Sequence, residues 1–476
     1  MSTSHSDTER TEAVLARYQS IVENPRALHA CVATPLPVCF WVNPLKSNSE
    51  ALIGYLKTLG LSPVPVDWVT GAFRIEAWRS PGQTLAFTAG WYYVQEEIAM
   101  AAVQVLAPQP GERILDMCAA PGGKTAQIAV RLGATGIVVA NELHAARLPS
   151  LSTTVARLGL MNVVTTQGDG RTGLFPNHSF DRVLVDAPCS GEGNLRRRRS
   201  PRPWQSEHGR RIATAQKKLL SRALDLVKPG GTVVYSTCTF APEENEAVLD
   251  AVMGDRAVLE AFDIPGLLGQ PGLTRWQGQS YRCDLSLTRR YFPHLNNTGG
   301  FFLARLRRTD AVANSVSESE ALTLLPVPMG EQAPIAALSQ QFEIAADAFK
   351  TYHCWATGKR RLWLTPKTCL PLPGPSPQTL GIPLATQTNL GLKPSTAFLQ
   401  RFGTAVERNT IDLPTPEAAY RFLQGQAQPL SATVDAGYVH IRLGPFHLGC
   451  GRYGGGQLQS QLPKTLRWSG GGLPSV

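Results

Sequence analysis

Short apolar segments alternate with amphipathic segments through the middle of the chain. The short segments have the length and flanking Gly, Pro or Asp residues of strands, and the longer ones repeat apolar residues every three or four positions. The predicted strands cover residues 113–118, 136–142, 163–167, 180–186, 232–238 and 300–306. The predicted helices begin at Lys124 and cover 144–160, 207–227 and 243–253, with a turn at 228–231. This order predicts an α/β fold, a mostly parallel sheet with helices on both faces.

The two ends of the chain have a different pattern. Residues 6–22 predict an amphipathic helix that opens an N-terminal module. Residues 309–335 are rich in Ser, Glu, Ala and Pro without periodicity, which predicts a linker. Beyond it, a predicted helix over 340–350 and short strands broken by Gly and Pro indicate a small β-rich region. We therefore divide the chain into an N-terminal module (1–100), a catalytic domain (101–308), the linker (309–335) and a C-terminal region (336–476).

Composition excludes several classes of protein. Of the 476 residues, 43% are apolar and 17% are charged, which is typical of a globular chain and not of a disordered one. No apolar run is long enough to span a bilayer, and the polar start lacks the apolar core of a secretory signal. We expect a cytoplasmic monomer that does not bind membranes.

Positive charge is concentrated in one segment. The chain has a formal net charge of +10, and the segment from Asp186 to Arg222 holds ten basic residues against three acidic ones. Within it, the run Arg196, Arg197, Arg198 and Arg199 is followed by Trp204, which offers a ring for stacking. Such a run is often only a solvated surface, but with a ring for stacking beside it the run predicts contacts with the phosphates of a polyanionic partner.

The nine cysteines are scattered and contain no CxxC pair. They predict neither a disulfide framework nor a metal site, and they fit a reducing cytosol. Cys283, Cys354, Cys369 and Cys450 have no motif around them, so we interpret them as small apolar residues. Any functional cysteine is therefore expected to be catalytic.

The segment from Asp116 to Thr125 contains a glycine-rich turn between a predicted strand and a predicted helix. Gly122 and Gly123 allow the backbone to approach a ligand, and the helix N-terminus offers free N–H groups. A phosphate-binding P-loop would need a glycine where Cys118 stands, which excludes that motif.

Two acidic residues follow the next strands and could complete a nucleoside site. Glu142 ends the second strand and is placed to bind ribose hydroxyls, and Asp169 follows the third strand. Each could instead be a helix cap or a solvated loop residue. Their positions at successive strand ends, beside the glycine turn, favour cofactor binding.

Cys189, in Asp186-Ala-Pro-Cys-Ser-Gly191, and Cys238, in Ser236-Thr-Cys-Thr239, follow the fourth and fifth strands. Both strand ends fall at the edge of an open α/β sheet where ligands bind. A thiolate is a strong nucleophile, and nearby positive charge, such as that of Lys124, lowers its pKa. The sequence therefore predicts two functional thiols beside the cofactor loop.

The segments MCAAPGGKT, GDGR, DAPCSGEG and STCT, with the later RYFPH and GGFF, resemble the Sun/Nop-type RNA cytosine-C5 methyltransferases. The resemblance runs from about Cys39 to Arg308. It implies a Rossmann-like S-adenosylmethionine-dependent domain that follows an N-terminal α/β RNA-binding element. The chain length and the C-terminal region, which resembles a β-rich PUA-like RNA-binding domain, are most similar to the bacterial F-type members that act on 16S rRNA.

The resemblance also implies a role for each motif residue. Cys238 would be the nucleophile that attacks C6 of cytosine, Asp186 would activate the base, and Cys189 would assist product release. Lys124 would belong to the catalytic group, and the target base must be flipped out of its stack to reach the thiols. The implied cofactor-binding residues are Cys118, Ala119, Ala120, Pro121, Gly122, Gly123, Lys124, Glu142, Asp169 and Asp186.

Three alternatives remain open at this point. The RNA substrate could be tRNA instead of rRNA or the small ribosomal subunit. The protein could be an RNA-binding assembly factor with incidental catalysis, although Cys189, Cys238 and Lys124 would then have no purpose. Thiol–disulfide exchange between the two cysteines lacks the CxxC spacing.

Overall fold

The computed structural model describes residues 7–197, 206–309, 333–358, 360–369, 373–389 and 391–469. The N-terminal module is a four-stranded antiparallel sheet with short helices packed around it. In spatial order its strands are Val64–Pro65, Ala72–Ile75, Val38–Val42 and Tyr92–Val94. Its helices are Asp7–Tyr18, Pro25–Val32, Ser49–Thr58 and Leu85–Thr88. The helix predicted over 6–22 is confirmed, with a 3-10 turn at its end.

A ten-stranded sheet forms the centre of the described part of the chain. Five adjacent strands are parallel and occupy the spatial order Val163–Gln167, Ile137–Glu142, Arg113–Asp116, Phe180–Asp186 and Val227–Thr237. Antiparallel strands extend the sheet beyond the last of these: Phe301–Arg308, Arg289–Tyr291, Gln270–Pro271 and Ala257–Leu259. The predicted α/β fold is confirmed, but the sheet is mixed, because only these five central strands are parallel.

Helices cover both faces of this sheet because its strands are apolar on both sides. Neighbouring residues of one strand, such as Val183 and Leu184, belong to separate buried clusters on opposite faces. One face is covered by Ala101–Leu106, Gly123–Leu132 and Leu148–Leu158, and the other by Ser206–Leu226, Glu246–Met253 and Asp7–Tyr18. The smaller elements nearby are the hairpin Arg275–Trp276 and Gln279–Ser280 and the helix Pro293–Asn296.

Two local predictions differ from the structure. The predicted turn at 228–231 lies inside the strand Val227–Thr237, where Phe180 pairs with Val227 and Arg182 pairs with Thr232. Residues 228–231 therefore bulge from the ladder, with Gly230 at a φ of +72°. The helix predicted over 340–350 is wrong, because the helix Ala333–Phe342 ends where Glu343 adopts a φ of +51°.

The C-terminal region is rich in β structure, as predicted. Its four-stranded sheet contains Tyr352–Thr357, Arg361–Pro366, Ile382–Thr388 and Gly391–Pro394. Its five-stranded sheet contains Thr410–Asp412, Gly437–Leu443, Phe446–Gly454, Gln457–Ser460 and Gln428–Pro429. Two further helices, Thr396–Phe402 and Pro416–Leu423, pack against these sheets.

The C-terminal region is joined to the rest of the molecule by a strand pairing and by a shared buried cluster, among other contacts. Its strand Thr379–Leu380 pairs antiparallel with Val163–Gln167 and so becomes the edge of the central sheet. Phe40 of the N-terminal module belongs to the same buried cluster as Phe422 and Val439 of the C-terminal region. The parts of the chain on either side of the predicted linker therefore share a buried cluster and a sheet. Across the described ranges, no helix combines the length and apolarity that crossing a membrane requires.

Candidate active site

A cavity of about 360 Å³ opens at the carboxyl ends of Arg113–Asp116 and Phe180–Asp186. The order of the parallel strands reverses between these two strands, and ligands of open α/β sheets bind at such a point. The N-terminal module, the glycine turn and both cysteine-bearing loops contribute to the cavity wall. The residues that line it include Tyr93, Asp116, Cys118, Ala119, Ala120, Pro121, Gly123, Lys124, Arg147, Asp186, Asn194, Arg197 and Cys238.

The two glycines of the turn are required by close packing. Gly122 has a φ of +107°, and a Cβ atom there would lie 2.9 Å from Cδ1 of Leu151. A Cβ atom on Gly123 would lie 2.9 Å from Cε1 of Tyr93, inside the cavity. The helix Gly123–Leu132 therefore begins at the cavity wall, with its first N–H groups free for a ligand.

The two acidic residues predicted at strand ends have different surroundings. Glu142 is 2% exposed, accepts hydrogen bonds from the backbone N–H groups of Ala120 and His144, and pairs with Arg147 at 3.2 Å. Glu142 therefore fixes the backbone of the glycine-rich turn at Ala120. Asp169 pairs with Arg171 of its own loop at 2.6 Å. Neither carboxylate is among the residues that line the cavity, so their predicted contacts with the cofactor stay predictions.

Lys124 and Asp186 form an ion pair in the cavity wall. Nζ of Lys124 lies 2.7 Å from Oδ2 of Asp186, and the Ser236 hydroxyl donates to Oδ1 of the same carboxylate at 2.7 Å. Burial acts to lower the pKa of Lys124, but the Asp186 carboxylate opposes it and leaves that pKa above its usual value. Lys124 is therefore a fixed positive charge beside the thiols.

Cys189 and Cys238 lie together, as their positions at neighbouring strand ends predicted. Their Sγ atoms are 3.4 Å apart, and Nδ2 of Asn194 donates to Sγ of Cys238 at 3.1 Å. The hydrogen bond from Cys189 lowers the pKa of Cys238, with help from Asn194 and the charge of Lys124. The same hydrogen bond and burial raise the pKa of Cys189. Of the two, Cys238 has the lowered pKa and lines the cavity, and Cys189 is not among the residues that line it.

A buried network that the sequence did not predict holds the loop carrying Asn194. Glu192 is 1% exposed and accepts a hydrogen bond from the hydroxyl of Tyr18, on the first helix. The N–H of Gly193 donates to the carbonyl of Cys238 at 2.9 Å, which ties this loop to the loop that carries Cys238. Because Tyr18 and Glu192 are 174 positions apart, no local spacing in the sequence could have indicated their contact.

Three family profiles match successive parts of the chain. Residues 11–97 match the N-terminal domain of 16S rRNA methyltransferase RsmF, residues 103–307 match 16S rRNA methyltransferase RsmB/F, and residues 408–468 match the RsmF PUA domain. Ribosomal RNA small subunit methyltransferase F of Vibrio vulnificus is 30% identical, with 97% of this chain and 98% of that protein covered. The chain belongs to the RsmB/F family.

Two other relatives each match about three fifths of the chain. The 25S rRNA (cytosine-C(5))-methyltransferase nop2 of Schizosaccharomyces pombe is 38% identical over 58% of this chain, which spans 46% of that relative. The crystal structure of a methyltransferase homologue from Pyrococcus horikoshii is 31% identical, with a TM-score of 0.53 over 63% of this chain and 93% of that one. The RsmB/F match confirms the predicted methyltransferase fold and the prediction of an RNA methyltransferase.

S-adenosylmethionine is the cofactor of this RsmB/F enzyme, and the cavity fits it. The backbone at Gly123 is open to the cavity, and the carboxyl groups of Asp116 and Asp186 line it. Oδ1 of Asp116 is buried and has no hydrogen-bond partner among the described residues, which leaves an acceptor for a bound group. Burial raises the pKa of Asp116 to about 6, despite the hydrogen bond from Thr125.

The arginine run of this RsmB/F enzyme divides into residues with different surroundings. The guanidinium group of Arg196 donates to the carbonyl of Pro35 and to Oδ1 of Asn297, both at 2.7 Å. Arg197 is exposed and lines the cavity. Arg198, Arg199 and Trp204 lie outside the described residues. The RNA contacts predicted for the run stay predictions, and Arg197 is the described residue best placed for one.

Proposed function

We propose that this enzyme methylates C5 of a cytosine in 16S rRNA through a covalent intermediate. The observation that carries the proposal is the thiol pair, in which Sγ of Cys238 lies 3.4 Å from Sγ of Cys189 beside the Lys124–Asp186 ion pair. C5 of cytosine is a poor nucleophile, and covalent attack divides one hard step into easier ones. The names of the Vibrio vulnificus and Schizosaccharomyces pombe relatives support the substrate and the position.

The first step uses the Cys238 thiolate. Its sulfur forms a bond to C6 of the base, and the displaced electron pair passes into the ring. The ring nitrogen takes a proton from solvent as the electron pair reaches it and returns that proton to solvent when the product leaves. Asp186 accepts a hydrogen bond from the protonated nitrogen and so favours the activated base, while Lys124 and Ser236 hold that carboxylate in place. C5 then has the character of an enamine carbon. Bound S-adenosylmethionine supplies the methyl group that C5 accepts.

Product release uses Cys189. Once the sulfur of Cys238 is bonded to C6, that sulfur carries no negative charge. The negative charge of Cys238 then no longer raises the pKa of Cys189. Cys189 then loses its proton more readily and assists removal of the C5 proton. The electron pair of that C–H bond restores the ring, the S–C6 bond breaks, and Cys238 leaves as a thiolate. The target base must be flipped out of its stack to reach this cavity.

The remaining features of the proposal concern the chain as a whole. The N-terminal module (1–100) and the C-terminal region (336–476) bind RNA. The domain formed by 101–308 carries the catalysis, and the linker 309–335 connects this domain to the C-terminal region. Matches to the RsmF N-terminal and PUA domains support this division. The enzyme acts as a cytoplasmic monomer on rRNA or the small ribosomal subunit. The alternatives are a tRNA substrate, or an RNA-binding assembly factor with incidental catalysis.

Release of tritium from RNA labelled at C5 of cytosine tests the reaction. The wild-type protein with S-adenosylmethionine is expected to release tritium from 16S rRNA, and Cys238→Ala is expected to release none. Cys283→Ala is the matched control, because Cys283 is an exposed cysteine outside the site. Tritium release from tRNA but not from 16S rRNA would show that tRNA is the substrate. No release from any RNA would favour the RNA-binding assembly factor. Bisulfite sequencing of total RNA from cells with and without the gene then identifies the nucleotide.

A further inference from the structure

A second and larger cavity, of about 720 Å³, lies between the N-terminal module and the C-terminal region. Tyr55, Trp78 and Arg79 contribute from the N-terminal module, and Tyr420 and Trp468 contribute from the C-terminal region. We call this cavity the side cleft. Its four aromatic side chains are half-buried, so each keeps part of its ring surface open to the cleft. Neither the RNA reaction nor the cofactor accounts for this aromatic surface.

Positive charge borders the aromatic surface. An adjoining cavity of about 410 Å³ shares Arg79 and Trp468 with the side cleft and is also lined by Arg157 and Arg467. No Asp or Glu of the described chain lines either cavity. The exposed guanidinium group of Arg79 forms no hydrogen bond or ion pair with any described residue, so its five donors are available to a ligand. The cleft therefore combines aromatic faces with the available guanidinium group of Arg79.

The side cleft lies close to the active site. The Arg157 guanidinium group lies 3.7 Å from the ring centre of Phe87, in the wall of the adjoining cavity, and 5.9 Å from the ring centre of Tyr93. Tyr93 in turn lines the catalytic cavity. One arginine side chain and one tyrosine ring thus connect the walls of the two sites.

We propose that the side cleft binds an unpaired nucleotide of the RNA substrate other than the target cytosine. Aromatic side chains stack on bases of any sequence, and arginine pairs with phosphate. Here Trp78 and Tyr420 provide the stacking surface and Arg79 the phosphate contact. An apolar peptide in the cleft would leave the guanidinium group of Arg79 without a counter-charge, so a nucleotide fits the cleft better. The inference rests on the proposed function, because it takes the occupant from the RNA substrate.

Two pairs of variants in the full-length protein test the two contacts separately. Tyr420→Leu removes the ring but keeps an apolar side chain, and Tyr420→Phe is its matched control because the ring remains. Arg79→Gln removes the charge, and Arg79→Lys keeps it. The measurement is the dissociation constant for 16S rRNA that lacks the modification, over a series of salt concentrations, with S-adenosylmethionine affinity measured alongside.

We expect Tyr420→Leu to weaken RNA binding by at least about fivefold, the effect of one lost base–aromatic stack, while Tyr420→Phe binds as the wild type does. Arg79→Gln is expected to reduce the slope of log Kd against log salt by about 0.7, and Arg79→Lys to preserve it. S-adenosylmethionine affinity stays the same in all four. Equal losses for Tyr420→Leu and Tyr420→Phe, or a salt slope unchanged by Arg79→Gln, would overturn the inference.

Tritium release by the wild-type protein in the same preparation separates this inference from the proposed function. If the wild type releases tritium and the four variants bind RNA as it does, the side cleft has no part in RNA binding and the function stands. If the wild type releases no tritium but the variants follow the expected pattern, the cleft binds RNA and the proposed reaction is wrong. An apolar fluorescent dye in the cleft that 16S rRNA fails to displace would also overturn the inference.

Discussion

Asn194 donates a hydrogen bond from its side-chain amide to the sulfur of Cys238 over 3.1 Å, and this bond favours the thiolate. Replacing Asn194 with Ala removes the donor and raises the pKa of Cys238. A hydrogen bond to a charged group contributes about 1.5–3 kcal/mol, so the acid limb of the pH–rate profile is expected to move up by about one to two pH units. Activity therefore falls most at neutral pH and recovers as the pH rises.

The measurement is kcat/KM for tritium release between pH 6 and 9.5. Asn177→Ala is the control, because its amide oxygen accepts from Arg222 and not from the thiol pair. An equal loss of activity at every pH would show that Asn194 shapes the loop without affecting the ionisation of Cys238.

The two cysteines act at opposite ends of the proposed reaction, so their variants are expected to behave differently. Cys238→Ala forms no adduct with RNA and has no activity. Cys189→Ala still forms the bond to C6 but releases product slowly, so a protein–RNA adduct accumulates that survives SDS and is removed by RNase. The double variant forms none. Denaturing gels with labelled RNA show the adduct, and the reverse pattern would assign the nucleophile to Cys189.

Two neighbouring arginines are expected to respond to substitution in different ways. Arg197→Gln removes an exposed charge at the cavity. It is expected to reduce the slope of log Kd for RNA against log salt concentration by about 0.7. Arg196→Gln removes hydrogen bonds to Pro35 and Asn297 and is expected to lower the free energy of unfolding by about 1 kcal/mol. Urea unfolding and RNA binding at several salt concentrations distinguish the two. A salt slope unchanged by Arg197→Gln would leave that residue as part of a solvated surface.

The buried carboxyl of Asp116 makes stability depend on pH. Its pKa in the folded protein is about 6, against about 3.9 in an unfolded chain, so the folded state binds the proton more tightly. Stability is therefore lost as the pH rises from about 4 to 6, by up to about 3 kcal/mol. Asp116→Asn removes this loss.

Urea unfolding at pH 4.5, 5.5 and 7 tests this expectation without cofactor. Asp116→Asn is expected to gain stability relative to the wild type with each rise in pH and to level off above pH 6. Asp67→Asn, at an exposed position, reports the effect of removing a negative charge alone. A stability difference between Asp116→Asn and the wild type that stays constant with pH would show that the Asp116 carboxyl is ionised normally.

Removing the C-terminal region is expected to damage the whole molecule. A chain that ends at Thr309 exposes the half of the shared buried cluster that contains Phe40 and leaves Val163–Gln167 without its edge partner. We expect this chain to aggregate and to lose S-adenosylmethionine binding. The control is the full chain with a protease site inserted between residues 309 and 333. After cleavage, its two pieces are expected to elute together in size-exclusion chromatography, and their separation would show independent domains.

Local pattern was sufficient for most of the catalytic domain. The strands Val163–Gln167 and Phe180–Asp186 have the predicted bounds because each is a short run of apolar residues between polar turns. The placement of Cys189 beside Cys238 followed from a general rule, that the carboxyl ends of parallel strands meet at one edge. These features depend on residues close together in the sequence or on the topology of the sheet.

Contacts between distant segments could not be predicted in this way. Thr379–Leu380 is too short to signal a strand, and it becomes one only because Val163–Gln167 offers unpaired backbone groups. The hydrogen bond from Tyr18 to Glu192 and the role of Asn194 depend on packing across the molecule. In the same way, Arg196 was grouped with its charged neighbours, although its hydrogen bonds are to Pro35 and Asn297.

The strand Thr379–Leu380 also sets an order of events during synthesis. It is translated more than 200 residues after Val163–Gln167, the strand whose edge it covers. At 5–20 residues per second, the ribosome needs roughly ten to forty seconds to produce it. Throughout that interval the nascent sheet presents a row of unpaired N–H and C=O groups, which is a template for association with another chain. Chaperone protection is therefore needed most after the catalytic domain has emerged and before the last hundred residues have.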